Sequence, residues 1–416
     1  MSTRVIIVGR AKVRKFAMFS IVLPIFVLAS CSASQAPEVA AGCNESVLRS
    51  ELSQELGGKT TVGYSKVAVI ESESKFGTTP VLLWKSDEGS DFSKVYIEGD
   101  DLYVTFREPT DGRRLHVFEW GSGNRLWELP VTEDGPPPAV SGLRLFPVSD
   151  SGHLHALSIE RESGVSQLPQ LWSSDIVPRF GPVQADANSV YLLAGNIRRG
   201  SNEVIDLNIE NGATLWKYEM PVRNQIPETS FDGEFSLGEG RLVFGSFGGH
   251  VYSLSTQTGN LCWETKIDGY GNVFQAPTIT TSSVLLVKDS TAYALDLQTG
   301  ETLWNHEDAS SFTSVAVSPE GVAIFGTDDG SLRAVGVRSG DTNWTLEVGN
   351  FLHTKPIVAV GVVYSITDDG ILYAVDAVVG RILWTLPVGE SFASPVWMNG
   401  YLFVVAGGRV QAFFLT

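Results

Sequence analysis

Two short acidic loops, Thr327-Asp328-Asp329-Gly330 and Thr367-Asp368-Asp369-Gly370, carry the residue types that bind divalent cations, at equivalent positions 40 residues apart. A calcium loop alternates its oxygen ligands along the chain, and these loops do not. Asp-Gly is ordinary hairpin chemistry, so both read as turns. His153 and His155 would share one strand face as a metal pair. His155 and His116, however, occupy the position that Tyr252, Tyr293 and Tyr373 fill elsewhere, which favours packing. Gly57-Gly58-Lys59-Thr60 has the end of a phosphate loop, but Ser53 stands where the first glycine belongs, and the stretch reads as a linker. The six histidines offer no Ser/His/Asp or Cys/His arrangement. Of the three cysteines, Cys43 and Cys262 are able to pair in an oxidising compartment. The reading favoured here is that Cys262 stands in for Leu303 and Leu383 as a small apolar residue.

The chain has 416 residues, with 30 Lys+Arg against 47 Asp+Glu and a formal charge of −17. That balance argues against nucleic acid as a partner, because phosphate backbones are bound by basic patches. The basic residues are unevenly placed. Arg4, Arg10, Lys12, Arg14 and Lys15 precede an apolar run from Phe16 to Ala29, and the first 30 residues contain no carboxylate. This is the charged and apolar order of a secretory signal, and the run is short for a membrane span of about 20 residues. It ends Leu28-Ala29-Ser30-Cys31, small residues before a cysteine, similar to a bacterial lipobox. The expectation is a lipoprotein signal over residues 1–30, acylation (a palmitate-type lipid) at Cys31, and a tether over 31–65. Within the tether, Leu48, Leu52 and Leu56 have helical spacing. Removing five positive charges leaves the exported chain at −22.

Repeats organise the remainder, residues 66–416. Eight of the ten tryptophans recur at 40–47 residue intervals: Trp84, Trp127, Trp172, Trp216, Trp263, Trp304, Trp344 and Trp384. Six of them follow a glycine by four residues: Gly123, Gly212, Gly259, Gly300, Gly340 and Gly380. With 42 glycines in 416 residues, chance supplies one such coincidence in about ten. Each unit reads as four short strands separated by Gly/Asp turns, the pattern of a β-propeller blade. Around Trp304 the strands are expected at Phe274–Ile279, Val284–Val287, Ala292–Leu295 and Thr302–Trp304. Seven units are complete. Phe392–Val396, Leu402–Val405 and Val410–Phe413 lack a Trp strand, and Val81–Trp84 lacks the rest of a blade. The economical reading is an all-β, eight-bladed propeller of four-stranded antiparallel blades, closed by strands from both chain ends, which removes exposed edges. Seven blades is the alternative, and Val67–Ile70 competes with Val410–Phe413 for one place in the closing blade.

The unit Ala292–Trp304 (AYALDLQTGETLW), echoed by VYSLSTQTGNLCW and LYAVDAVVGRILW, resembles the PQQ-like propeller repeat, a WD40-like repeat found in quinoprotein dehydrogenases and in the propeller lipoprotein of the outer-membrane barrel assembly machinery. The resemblance is specific for fold and weak for function. Dehydrogenases of this class imply adjacent cysteines, a calcium held by Glu and Asn, and a catalytic Asp. Here Cys31, Cys43 and Cys262 are never adjacent, so no cofactor, no metal and no catalytic residue is expected. The lipoprotein resemblance implies a membrane-anchored, extracytoplasmic, non-catalytic interaction scaffold with a role in envelope assembly, envelope or membrane proteins as partners and a monomeric propeller. A small-ligand or quinone sensor using the central funnel is the alternative. A partner face is expected where blades begin. Phe274, Phe312 and Phe392 stand three residues before Pro277, Val315 and Pro395, and His353 holds that place before Pro356, with Phe351 beside it. In a propeller these entry loops share one face with the turns of Asp328, Asp329, Asp368 and Asp369. The aromatics either recognise a partner or seal contacts between blades, the plainer of the two readings.

Overall fold

A lone four-stranded sheet whose two faces are both apolar has no stable home in water; neighbours must cover it. The strands here are of that kind. His250–Ser255, Ser283–Lys288 and Val322–Thr327 are buried at every position. The computed structural model describes residues 80–86, 90–108, 112–132, 136–149, 151–160, 168–178, 182–196, 201–221, 234–246, 248–267, 275–352, 354–391 and 393–415. The chain divides into two units, Met1–Glu38 and Val39–Thr416, and every described residue belongs to the second. Signal, lipobox and tether readings, together with Val67–Ile70 and the Gly57–Thr60 loop, lie outside the described residues.

The described residues form eight four-stranded antiparallel sheets arranged as an eight-bladed propeller. Blades 1 to 7 occupy residues 90–130, 139–174, 184–219, 235–266, 278–307, 312–347 and 357–387. Blade 8 takes Val396–Met398, Tyr401–Ala406 and Arg409–Phe414 from the C-terminal end and Val81–Lys85 as its outer strand. That outer strand runs antiparallel to Arg409–Phe414, with Val81 opposite Phe414 and Trp84 opposite Ala412. The closing arrangement expected from the sequence is therefore the one observed. Inner strands are shorter than the pattern suggested. Thr278–Ile279 replaces the expected Phe274–Ile279, because Pro277 has no N–H to give to a ladder.

The core lies between blades. Each of its eight clusters joins residues of two neighbouring sheets: Trp263 of blade 4 meets Val284, Leu286 and Leu295 of blade 5, and Trp304 of blade 5 meets Phe325 and Val335 of blade 6. The seam between blades 8 and 1 is built the same way, with Phe403 and Val405 against Val104 and Phe118.

The tryptophans explain the spacing. Six of the indoles reach over the blade boundary and lie on the glycine turn of the next blade. A Cβ added at Gly123, Gly212, Gly259, Gly300, Gly340 or Gly380 would fall 2.4–2.8 Å from the ring of Trp84, Trp172, Trp216, Trp263, Trp304 or Trp344 respectively. The same six indole N–H groups donate to backbone carbonyls beside those turns, for example Trp263 to Leu297 at 2.9 Å and Trp304 to Val337 at 2.8 Å. The others are Trp84 to Trp120, Trp172 to Ile209, Trp216 to Thr256 and Trp344 to Ala377. Each glycine thus has two duties: a positive φ of 69–74° for the hairpin and a bare surface for an incoming ring. Leu168 holds that place in blade 2, and in blade 8, whose outer strand comes from the other chain end and follows no turn, Pro80 does. Trp384, at the seam with blade 8, packs with Leu402 and Phe413 and has a buried N–H with no acceptor among the described residues.

Within each blade the tryptophan sits opposite a small residue of the third strand: Ala156, Ser253, Ala294, Ala334, Ala374, Ala412 or Val117. The exception is Asp206, opposite Trp216. Replacing Gly300 by Ala should destabilise the propeller by about 2–4 kcal/mol, since strain at positive φ adds to a clash with Trp263. Gly321 has a φ of 81° and open space around it, so Gly321→Ala should cost only about 1 kcal/mol. Paired denaturant unfolding curves measure both, and equal losses would refute the docking account.

Candidate functional site

The entry loops of blades 6 and 7 lie against the acidic turns of the same blades. The Asp328 N–H donates to the Ser311 carbonyl at 3.0 Å, and the Asp368 N–H to the Phe351 carbonyl at 3.1 Å. Local chemistry makes the turns. The Thr327 hydroxyl donates to Asp329 at 2.5 Å, and the Thr367 hydroxyl to Asp369 at 2.6 Å. Gly330 and Gly370 follow at φ of 79° and 80°, the left-handed conformation that glycine adopts freely.

In blade 6 the carboxylates are committed to holding this arrangement. Asp328 accepts the Ser311 N–H at 3.0 Å, and Asp329 accepts the Ser310 hydroxyl at 2.7 Å. Arg333 spans both loops, with Nε 2.7 Å from Asp308 and Nη2 3.0 Å from Asp329. The Arg333 hydrogen bond, ahead of other causes, lowers the Asp308 pKa. Burial pushes Asp329 up, but hydrogen bonds from Thr327, Ser310 and Ser331 and the Arg333 charge outweigh it and bring its pKa to about 2. For Asp369 the Thr367 hydrogen bond leads a shift in the same direction. These loops do what the turn reading expects. No group of three or more His, Cys, Asp and Glu among the described residues is placed to hold a metal.

The aromatics divide into two kinds. Phe312 is buried between blades 5 and 6, its ring 5.0 Å from Phe325 and 6.3 Å from His306, and it seals that contact. Phe351 is 50% exposed, while its neighbour Leu352 is buried. Phe274, His353 and Phe392 lie outside the described residues. His116 packs 4.6 Å from the Phe106 ring and 3.8 Å from Glu128, and His155 lies 3.1 Å from Gln170; both are built into their sheets.

Three features were missed or misread in the sequence. Cys262 is disulfide-bonded, which corrects its reading as a free small apolar residue. Its position on the outer strand explains why leucine is its counterpart elsewhere: Leu83, Leu126, Leu171, Leu215 and Leu303 each precede a tryptophan and are exposed on the rim. The second is Lys355, half-buried at the start of blade 7. Its ammonium lies 3.4 Å from the Thr278 hydroxyl of blade 5. Thr278 starts the innermost strand of blade 5 and Lys355 precedes that of blade 7, so the contact bridges the inner ends of the two blades that flank blade 6. Burial lowers its pKa, against the pull of Glu234 from blade 4.

The third is Asp206, 2% exposed in a place where other blades put Ala, Ser or Val. The Ser189 hydroxyl donates to one carboxylate oxygen at 3.2 Å, and the other oxygen has no partner among the described residues. Burial, with Asp186 adding to it against the Ser189 hydrogen bond, raises the pKa to about 7. The signal in the sequence was one polar letter in a column of small residues.

Fold and repeat define a β-propeller of the PQQ-like class. The sequence profile described as outer membrane protein assembly factor BamB matches residues 200–350 and 328–415, together just over half of the chain, and the chain belongs to that family. Among solved structures, it is similar to BamB from Moraxella catarrhalis, with TM-score 0.63 and 17% identity over 81% of this chain and all of that one. It is also similar to a europium-containing methanol dehydrogenase, with TM-score 0.64 and 12% identity over 81% of this chain and 93% of that one. A quinohemoprotein alcohol dehydrogenase from Comamonas testosteroni gives TM-score 0.64 and 12% identity, over 81% and 76% of the two chains. No curated protein matches by sequence. At these identities the structural likenesses speak for the fold.

Asp206 binds a proton in the folded chain between pH about 4 and 7, where the unfolded carboxyl has lost it. Its burial therefore costs more stability as pH rises through that window. Asp206→Ala should raise stability by about 1–3 kcal/mol at pH 8, and the gain should shrink towards pH 4–5. Thermal melts of both proteins across this range test it; a pH-independent difference would show that the carboxyl does not titrate there.

Proposed function

We propose that this chain is a non-catalytic interaction scaffold of the cell envelope, exported, acylated at Cys31, and serving the assembly of outer-membrane proteins. Membership of the BamB family carries this reading. It is supported by a face on which Phe351 is exposed beside the Asp368–Asp369 turn, while the acidic side chains of blade 6 are occupied in fixing the loops. An aromatic ring on a prearranged loop loses little entropy on binding. The acidic body favours a basic or neutral partner. Lipid at Cys31 supplies the membrane attachment, and pyrroloquinoline quinone has no part in the scheme.

Native crosslinking with mass spectrometry on membranes should capture envelope proteins, and Phe351→Ser should cut that capture several-fold without shifting the melting temperature by more than about 2 °C. Undiminished capture by Phe351→Ser would remove this face from the reading. Phe312→Ser is the folding control, since that ring is buried.

A second reading rests on Lys355. A cation held between the inner ends of blades 5 and 7, near Thr278 and Glu234, suits a small anionic ligand. A melting-temperature rise on adding small carboxylates, absent in Lys355→Met, would favour a ligand-binding role over the scaffold.

A further inference from the structure

We infer that blade 3 carries a calcium site beside its seam with blade 4, formed by the carboxylates of Asp206 and Asp186 and the hydroxyls of Ser189 and Tyr191. Strand register brings these groups together. Tyr191 stands opposite Asp206, and Asp206 opposite Trp216, so the three side chains form one row across the sheet and share a face. Ser189 lies two residues before Tyr191 and falls on the same face. Tyr191 and Trp216 pack there on Leu242 and Leu254 of blade 4. Asp186 sits in the turn that leads into this strand. Its Oδ1 accepts the Asn188 and Ser189 N–H groups at 2.8 and 2.9 Å.

The hydroxyls link the two carboxylates. Ser189 donates to Asp206 Oδ2 at 3.2 Å, and Tyr191 donates to Asp186 Oδ2 at 3.2 Å. Asp206 Oδ1 is left buried and without a partner among the described residues, on a side chain 2% exposed. A dry carboxylate with an unused oxygen is costly unless a cation or a full set of donors meets it. The protein supplies neither. The charge acting on Asp206 is that of Asp186, of the same sign, and no ammonium or guanidinium bonds either carboxylate among the described residues. The acidic turns of blades 6 and 7 differ here, since Asp328, Asp329 and Asp369 accept bonds from their own loops.

Carboxylate and hydroxyl oxygens, with no nitrogen or sulfur among them, select a hard cation. Two carboxylates match a divalent charge. Calcium accepts irregular oxygen geometry, whereas magnesium gives up its waters reluctantly, which suits a seam walled by Leu242, Leu254 and Trp216 poorly. The ion has a short way in, because Ala187 and Asn188 of the turn are exposed. Once bound, it gives Asp206 Oδ1 its partner and turns the repulsion between the carboxylates into attraction to a shared charge. The turn is also a meeting point of blades. Ser141 of blade 2 donates to the Asp186 carbonyl at 2.8 Å, and Gln184 donates to the Phe235 carbonyl of blade 4. Calcium at this point fastens three blades together, whichever partner the propeller serves.

Thermal melts of the full chain at about pH 8 test the site, first in chelator and then with about 1 mM calcium. Calcium should raise the wild-type midpoint by about 2–5 °C and leave Asp206→Asn unmoved. The gain expected for Asp206→Ala belongs to the ion-free protein, and calcium should reverse it. Asp186→Asn keeps an oxygen for the turn N–H groups, so it should fold and bind calcium at least about tenfold more weakly. Terbium, a luminescent stand-in for calcium, gives a direct readout, because the Tyr191 and Trp216 rings lie 6.1 Å apart beside the site. Sensitised emission should appear in the wild type, fall on adding calcium, and be lost in Asp206→Asn. No calcium shift in the wild type, or an equal shift in wild type and both Asn variants, would overturn the site. An equal shift with magnesium would overturn its assignment to calcium.

Discussion

An indole lying on a bare glycine of the neighbouring sheet, with its N–H donated to the adjacent carbonyl, is the contact on which this propeller rests. Burying a Trp side chain contributes on the order of 2–3 kcal/mol, and the hydrogen bond satisfies the one polar atom that burial would otherwise strand. The geometry leaves little freedom. The turn needs a positive φ, the ring needs the space a Cβ would take, and the residue opposite the ring must be small. These demands act across a blade boundary, so they set the angle between blades, and through that angle the number that closes the ring.

Function is left to what this framework does not use. The acidic residues that look most like a site are largely occupied: Asp308, Asp329 and Arg333 tie the entry loop of blade 6 to its second turn. The lowered pKa values of Asp308 and Asp329 follow from those bonds. The groups that stand exposed are Phe351 on the loop face and the leucines of the rim, while Lys355 joins the inner ends of blades 5 and 7. A rigid ring with exposed groups on adaptable loops suits recognition, and the family to which the chain belongs points the same way.

Repeat period, blade architecture and the closing strand were legible in the sequence because the tryptophan and glycine positions obey one local rule in nearly every unit. The turn chemistry of Thr367-Asp368-Asp369-Gly370 was legible for the same reason. What escaped depends on partners far apart in the chain. Lys355 looks like an ordinary strand-entry residue until Thr278, two blades back, is seen beside it. The disulfide of Cys262 is one of two readings open in the sequence, and the repeat, with leucine at the same place in other blades, favours the other. Phe312 and Phe351 are alike as letters, and only the packing of the blades shows that one is interior and the other half-exposed. Asp206 was hidden because the column opposite the tryptophans emerges only once strand register is known.

Leu168 and Pro80, the two places where the glycine is replaced, make the seams of the ring unequal in kind. The seams into blades 2 and 8 lack the indole-on-glycine contact, while those between blades 2 and 7, and that from blade 8 to blade 1, have it. The contact therefore runs unbroken through an arc of six blades and through a pair, and the pair contains both ends of the described chain. At the two remaining seams apolar side chains join the blades, Trp127 with Leu168 at one and Trp384 with Leu402 and Phe413 at the other, so the rule of the repeat is suspended on either side of the blades that the chain ends share.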